Sequence, residues 1–355
     1  MNIKGKELTV PLIQGGMGVG VSLSNLAGNV AKCGGMGVIS SVNAGYQEPD
    51  FTNNPREANL RALKRHIRQA KEIAQGNGLV AVNIMTAVSD YERTCRLAIE
   101  CGADAVISGA GLPLRLPEYT KGTKTLAAPI VSSGKAAGLL CRSYSKKYDV
   151  LPDFLIIEGF RAGGHLGFSK EELSDGKAAQ NETILANVLD AIKPYEEAYR
   201  ITIPVFVAGG VFDGHDLARF MSLGASGVQM ATRFIATKEC DADERFKQVV
   251  IEAKKEDILI INSPVGMPAR AINSPLIKRL SAGEKFPARL CNGCLTACKR
   301  GDKTPYCISR ALIEAVLGNW EDGLFFCGEN AWRVNEMTTV GELMETIHTE
   351  WRSSQ

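Results

Sequence analysis

Ile203-Pro204-Val205-Phe206-Val207-Ala208-Gly209-Gly210, followed after one helical stretch by Gly227-Val228-Gln229-Met230-Ala231-Thr232, decides the fold. Both segments are short, apolar without polar alternation, and rich in β-branched or aromatic residues, as strands buried on both faces are. Asp213–Leu223 between them reads as a helix, so the pair forms a strand–helix–strand unit with parallel strands. Each strand stops where glycine or a polar residue begins.

Reading outward, the same unit recurs toward the N-terminus. The preceding apolar segments are Val10–Gln14, Gly37–Ser41, Leu79–Met85, Asp104–Ser108, Pro129–Ser133 and Asp153–Glu158, which with the first two make eight. Helical stretches at Ser22–Cys33, Pro55–Gln75, Ser89–Cys101, Gly134–Lys147 and Asn181–Tyr199 fill the gaps, with Pro55 in a first turn and Gly34-Gly35 closing the first helix. Eight such units in roughly 230 residues are the count and length of an α/β (β/α)8 TIM barrel. A doubly wound dinucleotide fold would need G-x-G-x-x-G after the first strand; Gly15-Gly16-Met17-Gly18-Val19-Gly20-Val21-Ser22 lacks that spacing.

After about residue 240 the rhythm breaks. Asp243–Lys255 reads as a helix, Ser263–Ala271 as a proline- and glycine-punctuated loop, and helices are expected near Ile308–Leu317 and Val340–Trp351. This divides the chain into a barrel over 1–240, a barrel-associated lid over 241–285, and a cysteine-containing helical appendix over 286–355. A dimer contact through the appendix is one role for it; covering the barrel mouth is the other.

The 355 residues carry 41 basic and 39 acidic side chains, a net charge of +2, which gives no field for nucleic acid. No apolar run approaches the roughly 18 residues of a membrane span, and the start has no signal-peptide character. A cytoplasmic protein acting on a small molecule is the expectation, with the scattered cysteines Cys33, Cys95, Cys101, Cys141, Cys240 and Cys327 as reduced, buried thiols.

In a TIM barrel the chemistry sits at the carboxyl ends of the strands. These ends supply Gln14-Gly15-Gly16-Met17, Asn83, Ser108-Gly109-Ala110-Gly111, Ser132-Ser133, Glu158, Gly209-Gly210 and Gln229 with Thr232. The loops after strands seven and eight are the usual barrel phosphate site, and glycine lets an anion approach backbone N–H groups. Of the four histidines, His66 lies in a basic helix and reads as a solvated surface residue, while His215 and His348 belong to outer helices. His165 follows Arg161-Ala162-Gly163-Gly164 directly after strand six, where an imidazole titrating near neutrality suits a general base.

These residues spell a family. Gln14-Gly15-Gly16-Met17, Val82-Asn83-Ile84-Met85, Glu158-Gly159-Phe160-Arg161-Ala162-Gly163-Gly164-His165, Ala208-Gly209-Gly210 and Gly227 through Phe234 resemble the nitronate monooxygenase, or 2-nitropropane dioxygenase-like, family, which includes the type II FMN-dependent enoyl-acyl-carrier-protein reductases. The resemblance spans roughly residues 8–275. It implies an FMN-containing TIM barrel in which Asn83 contacts the flavin and Glu158, Gly163 and Gly164 line its ring or ribityl chain. Gly209, Gly210, Gln229, Met230, Ala231 and Thr232 would hold the phosphate, Gln14, Gly15, Gly16 and Met17 would flank the isoalloxazine, and His165 would be the base.

The resemblance implies an FMN-dependent oxidoreductase that oxidises a small substrate such as an alkyl nitronate with dioxygen. Glu158 stands where nitronate-oxidising members carry Gln, and Ser108-Gly109-Ala110-Gly111-Leu112-Pro113 looks like the reductase branch. The alternative is therefore an NAD(P)H-dependent enoyl-thioester reductase, and a third reading is a non-catalytic barrel that docks an electron carrier. Arg161, Ala231 and the long Ser41–Asn54 segment depart from both branches.

Four cysteines are bunched as Cys291-x-x-Cys294-x-x-x-Cys298, with Cys307 following after eight intervening residues. Thiolates at such intervals can converge on one metal. The first three positions look like the 4Fe-4S motif of the 2,4-dienoyl-CoA reductases; a zinc site and metal-free thiols are the other two readings.

Overall fold

The computed structural model describes residues 1–286, 291–296, 298 and 304–355. Eight parallel strands close into a barrel: β1 (Leu12–Gln14), β2 (Met36–Ser40), β3 (Leu79–Asn83), β4 (Ala105–Ser108), β5 (Leu126–Val131), β6 (Leu155–Glu158), β7 (Val205–Ala208) and β8 (Gly227–Met230). Closure comes from Val228 opposite Leu12 and Met230 opposite Gln14. The helices α1 (Ser24–Lys32), α2 (Pro55–Ala74), α3 (Tyr91–Glu100), α4 (Gly134–Tyr148), α5 (Asn181–Tyr199) and α6 (Gly214–Ser222) follow successive strands, apart from β4, after which only the single turn Pro117–Thr120 is helical. The strands and helices expected from the sequence are present, with ends shifted by a few residues.

Alternation along each strand separates two layers of core. On β3, Leu79 and Ala81 join Ile13, Val38, Ile107, Ile156 and Phe206 inside the barrel, whereas Val80 and Val82 pack against the helices. Successive strand side chains point to opposite faces, so the next inward residue on β3 is Asn83, on β6 Glu158, and on β8 Gln229.

The C-terminal region differs from expectation in three places. First, Ser263–Ala271 is not a loop: β9 (Ile258–Asn262) pairs antiparallel with β10 (Pro268–Ile272), and only Ser263–Met267 turns between them. Pro268 occupies the first position of β10, where proline is tolerated. Second, β10 also pairs with the two-residue strand Gly164–His165, placing Ala269 opposite His165 and Arg270 opposite Gly164. Third, the ring position after β8 is filled from the far end of the chain. Following α7 (Glu244–Glu252) and α8 (Ile308–Val316), helix α9 (Val340–Ser353) packs between α6 and α1. Its Val340, Leu343, Met344, Ile347 and Trp351 belong to the same buried cluster as the barrel's outer face. Thr339 and Glu342 form a reciprocal cap at its start. No described helix is long and apolar enough to cross a membrane.

Candidate active site at the barrel mouth

Glu158, Ala208 and Gln229 stand at one level on three adjacent strands, Ala208 being opposite both of the others. Asn83, Glu158 and Gln229 are each half-buried at the carboxyl rim. The turn after β1 folds over two of them. A Cβ added to Gly16 would lie 2.6 Å from the Asn83 Cβ, and one on Gly15 would lie 3.1 Å from the Gln229 side chain. Gly15, Gly16, Asn83 and Gln229 are thus brought together, with half-buried Met17 continuing the turn.

Gln14 belongs elsewhere. It shares the helix-facing phase of Leu12, is 0% exposed, and its amide bonds the backbone of Gly15 and Val38, with its Oε1 accepting from the Val38 N–H at 3.0 Å. Those bonds stitch β1 to β2, so the side chain does not reach the mouth. Met230 has the same phase and is buried against the shell. Ser108, also outward, bonds the Ile84 carbonyl and the Tyr91 hydroxyl. The resemblance had placed Gln14 beside the ring and Met230 at the phosphate; strand phase assigns both side chains to the wall.

Glu158 has no hydrogen bond or ion pair among the described residues, and burial alone raises its carboxyl to about 7. Burial lowers the His165 imidazole to about 4, so it is neutral at physiological pH. Its Nε2 lies 2.8 Å from Ser263 Oγ, in the turn between β9 and β10, and its ring meets Phe326 edge-on at 5.4 Å. Ser263 is 6% exposed.

The second half of the site forms around Gly209 (φ +91°) and Gly210 (φ +85°), whose left-handed backbone disfavours any side chain. At Gly209 an added Cβ would also strike the Gly159 carbonyl oxygen at 2.7 Å. The Gly209 carbonyl accepts from Asn181 and the Gly210 carbonyl from Asn330, both at 2.7 Å. The Gly328 N–H donates to Thr232 Oγ1 at 2.9 Å, leaving the hydroxyl hydrogen of Thr232 for another acceptor. Gly163 is pressed against the Cys327 backbone, where a Cβ would come within 2.5 Å, and Gly164 (φ +69°) faces Phe326. Ala231 directly precedes the short helix Thr232–Ile235. A strap of residues 326–330 therefore joins the β6, β7 and β8 loops.

This arrangement fits FMN. Amide and carboxyl groups of Asn83, Gln229 and Glu158 line the mouth, with Glu158 lacking a described partner, while paired glycines and a Thr hydroxyl lie at the tips of β7 and β8, the usual phosphate position in TIM barrels. Asn83 and Gln229 have the groups for ring heteroatoms, Gly210 and Thr232 those for the anion.

One other expectation is corrected. His66 is half-buried, its Nδ1 is 3.0 Å from Ser24 Oγ, and burial lowers it to about 4. Among the described residues no three His, Cys, Asp or Glu side chains are grouped so as to hold an ion. Cys291, Cys298 and Cys307 lie near enough for their charges to add to the burial that raises the Cys294 thiol. Residues 292–296 dock on the loop after β3, where Ser89 bonds the Gly293 and Cys294 carbonyls and Thr296 the Ala87 carbonyl.

Ser263, Phe326, Asn330 and Asn181 escaped sequence reasoning. The first three arrive from the C-terminal third, and no spacing signal ties them to strand six.

Fold and rim together define a flavin-type (β/α)8-barrel oxidoreductase. The chain matches the nitronate monooxygenase family over residues 2–350 and belongs to it. It is 29% identical to a probable nitronate monooxygenase of Staphylococcus saprophyticus, over 76% of this chain and 78% of that protein. It is 23% identical to a Mycobacterium tuberculosis protein named (3aS,4S,5R,7aS)-5-hydroxy-7a-methyl-1-oxo-octahydro-1H-indene-4-carboxyl-CoA dehydrogenase, over 95% and 91% of the two chains. Among solved structures, FabK from Thermotoga maritima superposes with a TM-score of 0.73 at 25% identity, covering 98% of this chain and 94% of that one. Nitroalkane oxidase from Streptomyces ansochromogenes shares the fold at a TM-score of 0.73 and 19% identity, covering 98% and 97%.

Proposed function

We propose that this enzyme uses FMN to oxidise a small substrate such as an alkyl nitronate with dioxygen, His165 acting as the base that takes the proton from the parent nitroalkane. The observation supporting this is a neutral imidazole fixed by Ser263 on the loop that rises from Glu158. With Nε2 engaged, Nδ1 is the ring nitrogen left to meet a substrate proton. FMN, when bound, supplies the two-electron redox chemistry and the route to dioxygen. Within the chain, Asn83 and Gln229 orient the ring, the turn at Gly15-Gly16 closes over them, and Gly210 with Thr232 anchors the phosphate.

A second reading is favoured by Glu158. A carboxyl that stays half-protonated near neutrality can donate a hydrogen bond or a proton to a developing negative charge, as reduction of an enoyl thioester by NAD(P)H requires. Likeness to FabK and to a dehydrogenase named for a CoA substrate adds weight. Anaerobic titration of the flavin-loaded protein separates the two. Bleaching of the visible flavin band by an alkyl nitronate but not by NADH or NADPH supports the oxidase; rapid bleaching by a nicotinamide overturns it in favour of the reductase. A protein that takes up no FMN overturns both.

A further inference from the structure

Arg270 is 4% exposed on β10, opposite Gly164, and no carboxylate lies within ion-pair distance of it among the described residues. Burial without a paired anion lowers its affinity for the proton, with Glu329 acting on it only from a distance while itself pairing with Arg161 at 3.2 Å. A buried cation of this kind persists when its N–H groups are bonded. Here Nη1 alone donates to two carbonyls, Phe160 at 2.7 Å and Ala162 at 2.5 Å. Both belong to the turn that separates Glu158 from His165. The Phe160 ring is stacked edge-on with Phe168 and lies under the Arg161 guanidinium, and Gly163 rests on the Cys327 backbone, so the turn is packed on the sides the clasp does not reach.

We propose that Arg270 is a positioning residue. By gathering the Phe160 and Ala162 carbonyls onto one guanidinium nitrogen, it sets the path of the turn that presents Gly163 and His165. Two properties then depend on it: affinity for FMN, which rests on the flavin reading above, and the seating of His165 against Ser263, which does not.

The test uses the full chain with Arg270→Met and Arg270→Lys, and Asp241→Asn as a control. The Asp241 carboxylate accepts three backbone N–H groups at the start of α1, so its loss lowers Tm without touching the turn. FMN affinity is read by fluorescence titration, and His165 by its rate of acylation with diethyl pyrocarbonate, followed by mass spectrometry. Arg270→Met is expected to weaken FMN about tenfold and to accelerate His165 acylation several-fold, Arg270→Lys to recover part of both, and Asp241→Asn to change neither. If Arg270→Met does not fold, Arg270→Lys decides. Native FMN affinity and native acylation in the folded variants, or equal changes in the Asp241 control, would overturn the proposal. Should the native protein bind no FMN, the acylation rates still decide the positioning role while the flavin reading falls.

Discussion

Two side chains divide the work at the mouth, His165 and Glu158, and each makes a separable prediction. His165→Ala should retain FMN and lower turnover by a factor on the order of 10² or more, as removal of a general base does; steady-state kinetics on the flavin-loaded variant check it, and undiminished turnover removes His165 from the reaction. Glu158→Gln should abolish an inflection near pH 7 in the rate profile, since burial places the carboxyl at about 7 and no described partner offsets it. A profile that keeps the inflection assigns it to another group. Glu158 and Gln229 were legible in the sequence because each ends an apolar strand at the carboxyl rim, where barrel chemistry sits. Gln14 was misjudged because a strand end does not by itself give the phase: one residue of phase sends a strand-end side chain into the wall instead of the mouth.

At the scale of elements, α9 is the test of how the barrel is closed. Ile347 is fully buried between α6 and α1. Ile347→Ala should cost about 2–5 kcal/mol, comparable to a truncation at the centre of any core helix, and chemical denaturation measures it. A loss under about 1 kcal/mol would mean that α9 is an attachment and not part of the barrel shell. The helix itself was expected near Val340–Trp351, but its partner was not. The β9–β10 hairpin shows the opposite limit: Pro264, Gly266 and Pro268 punctuate Ser263–Ala271 like a loop, yet pairing of β10 with Gly164–His165 overrides that local signal.

For the whole molecule, titration at the mouth and beneath α2 opposes itself. His66 and His165, both lowered to about 4, take up protons on unfolding between pH 4.5 and 6.5, and their contribution to stability is lost as pH falls through that window. Glu158, raised to about 7, is protonated when folded and ionised when unfolded over the same window, so its contribution is lost as pH rises. Glu158→Gln removes that opposing contribution and should steepen the rise of stability with pH over this window by about 1.4 kcal/mol per pH unit, the linkage of one proton; urea titrations at several pH values measure the change, and an unaltered slope means that Glu158 is solvated in the folded state. By itself the sequence determined the eight strands, the rim residues and the family motifs, because these are written in short-range periodicity and in contiguous turns. Only the tertiary structure decided that the eighth ring position comes from the C-terminus, that Ser263 and Arg270 brace the His165 turn, and that residues 326–330 tie three loops together. Those contacts join positions about a hundred or more residues apart, and their stability lies in burial and complementary hydrogen bonding, which no local pattern encodes.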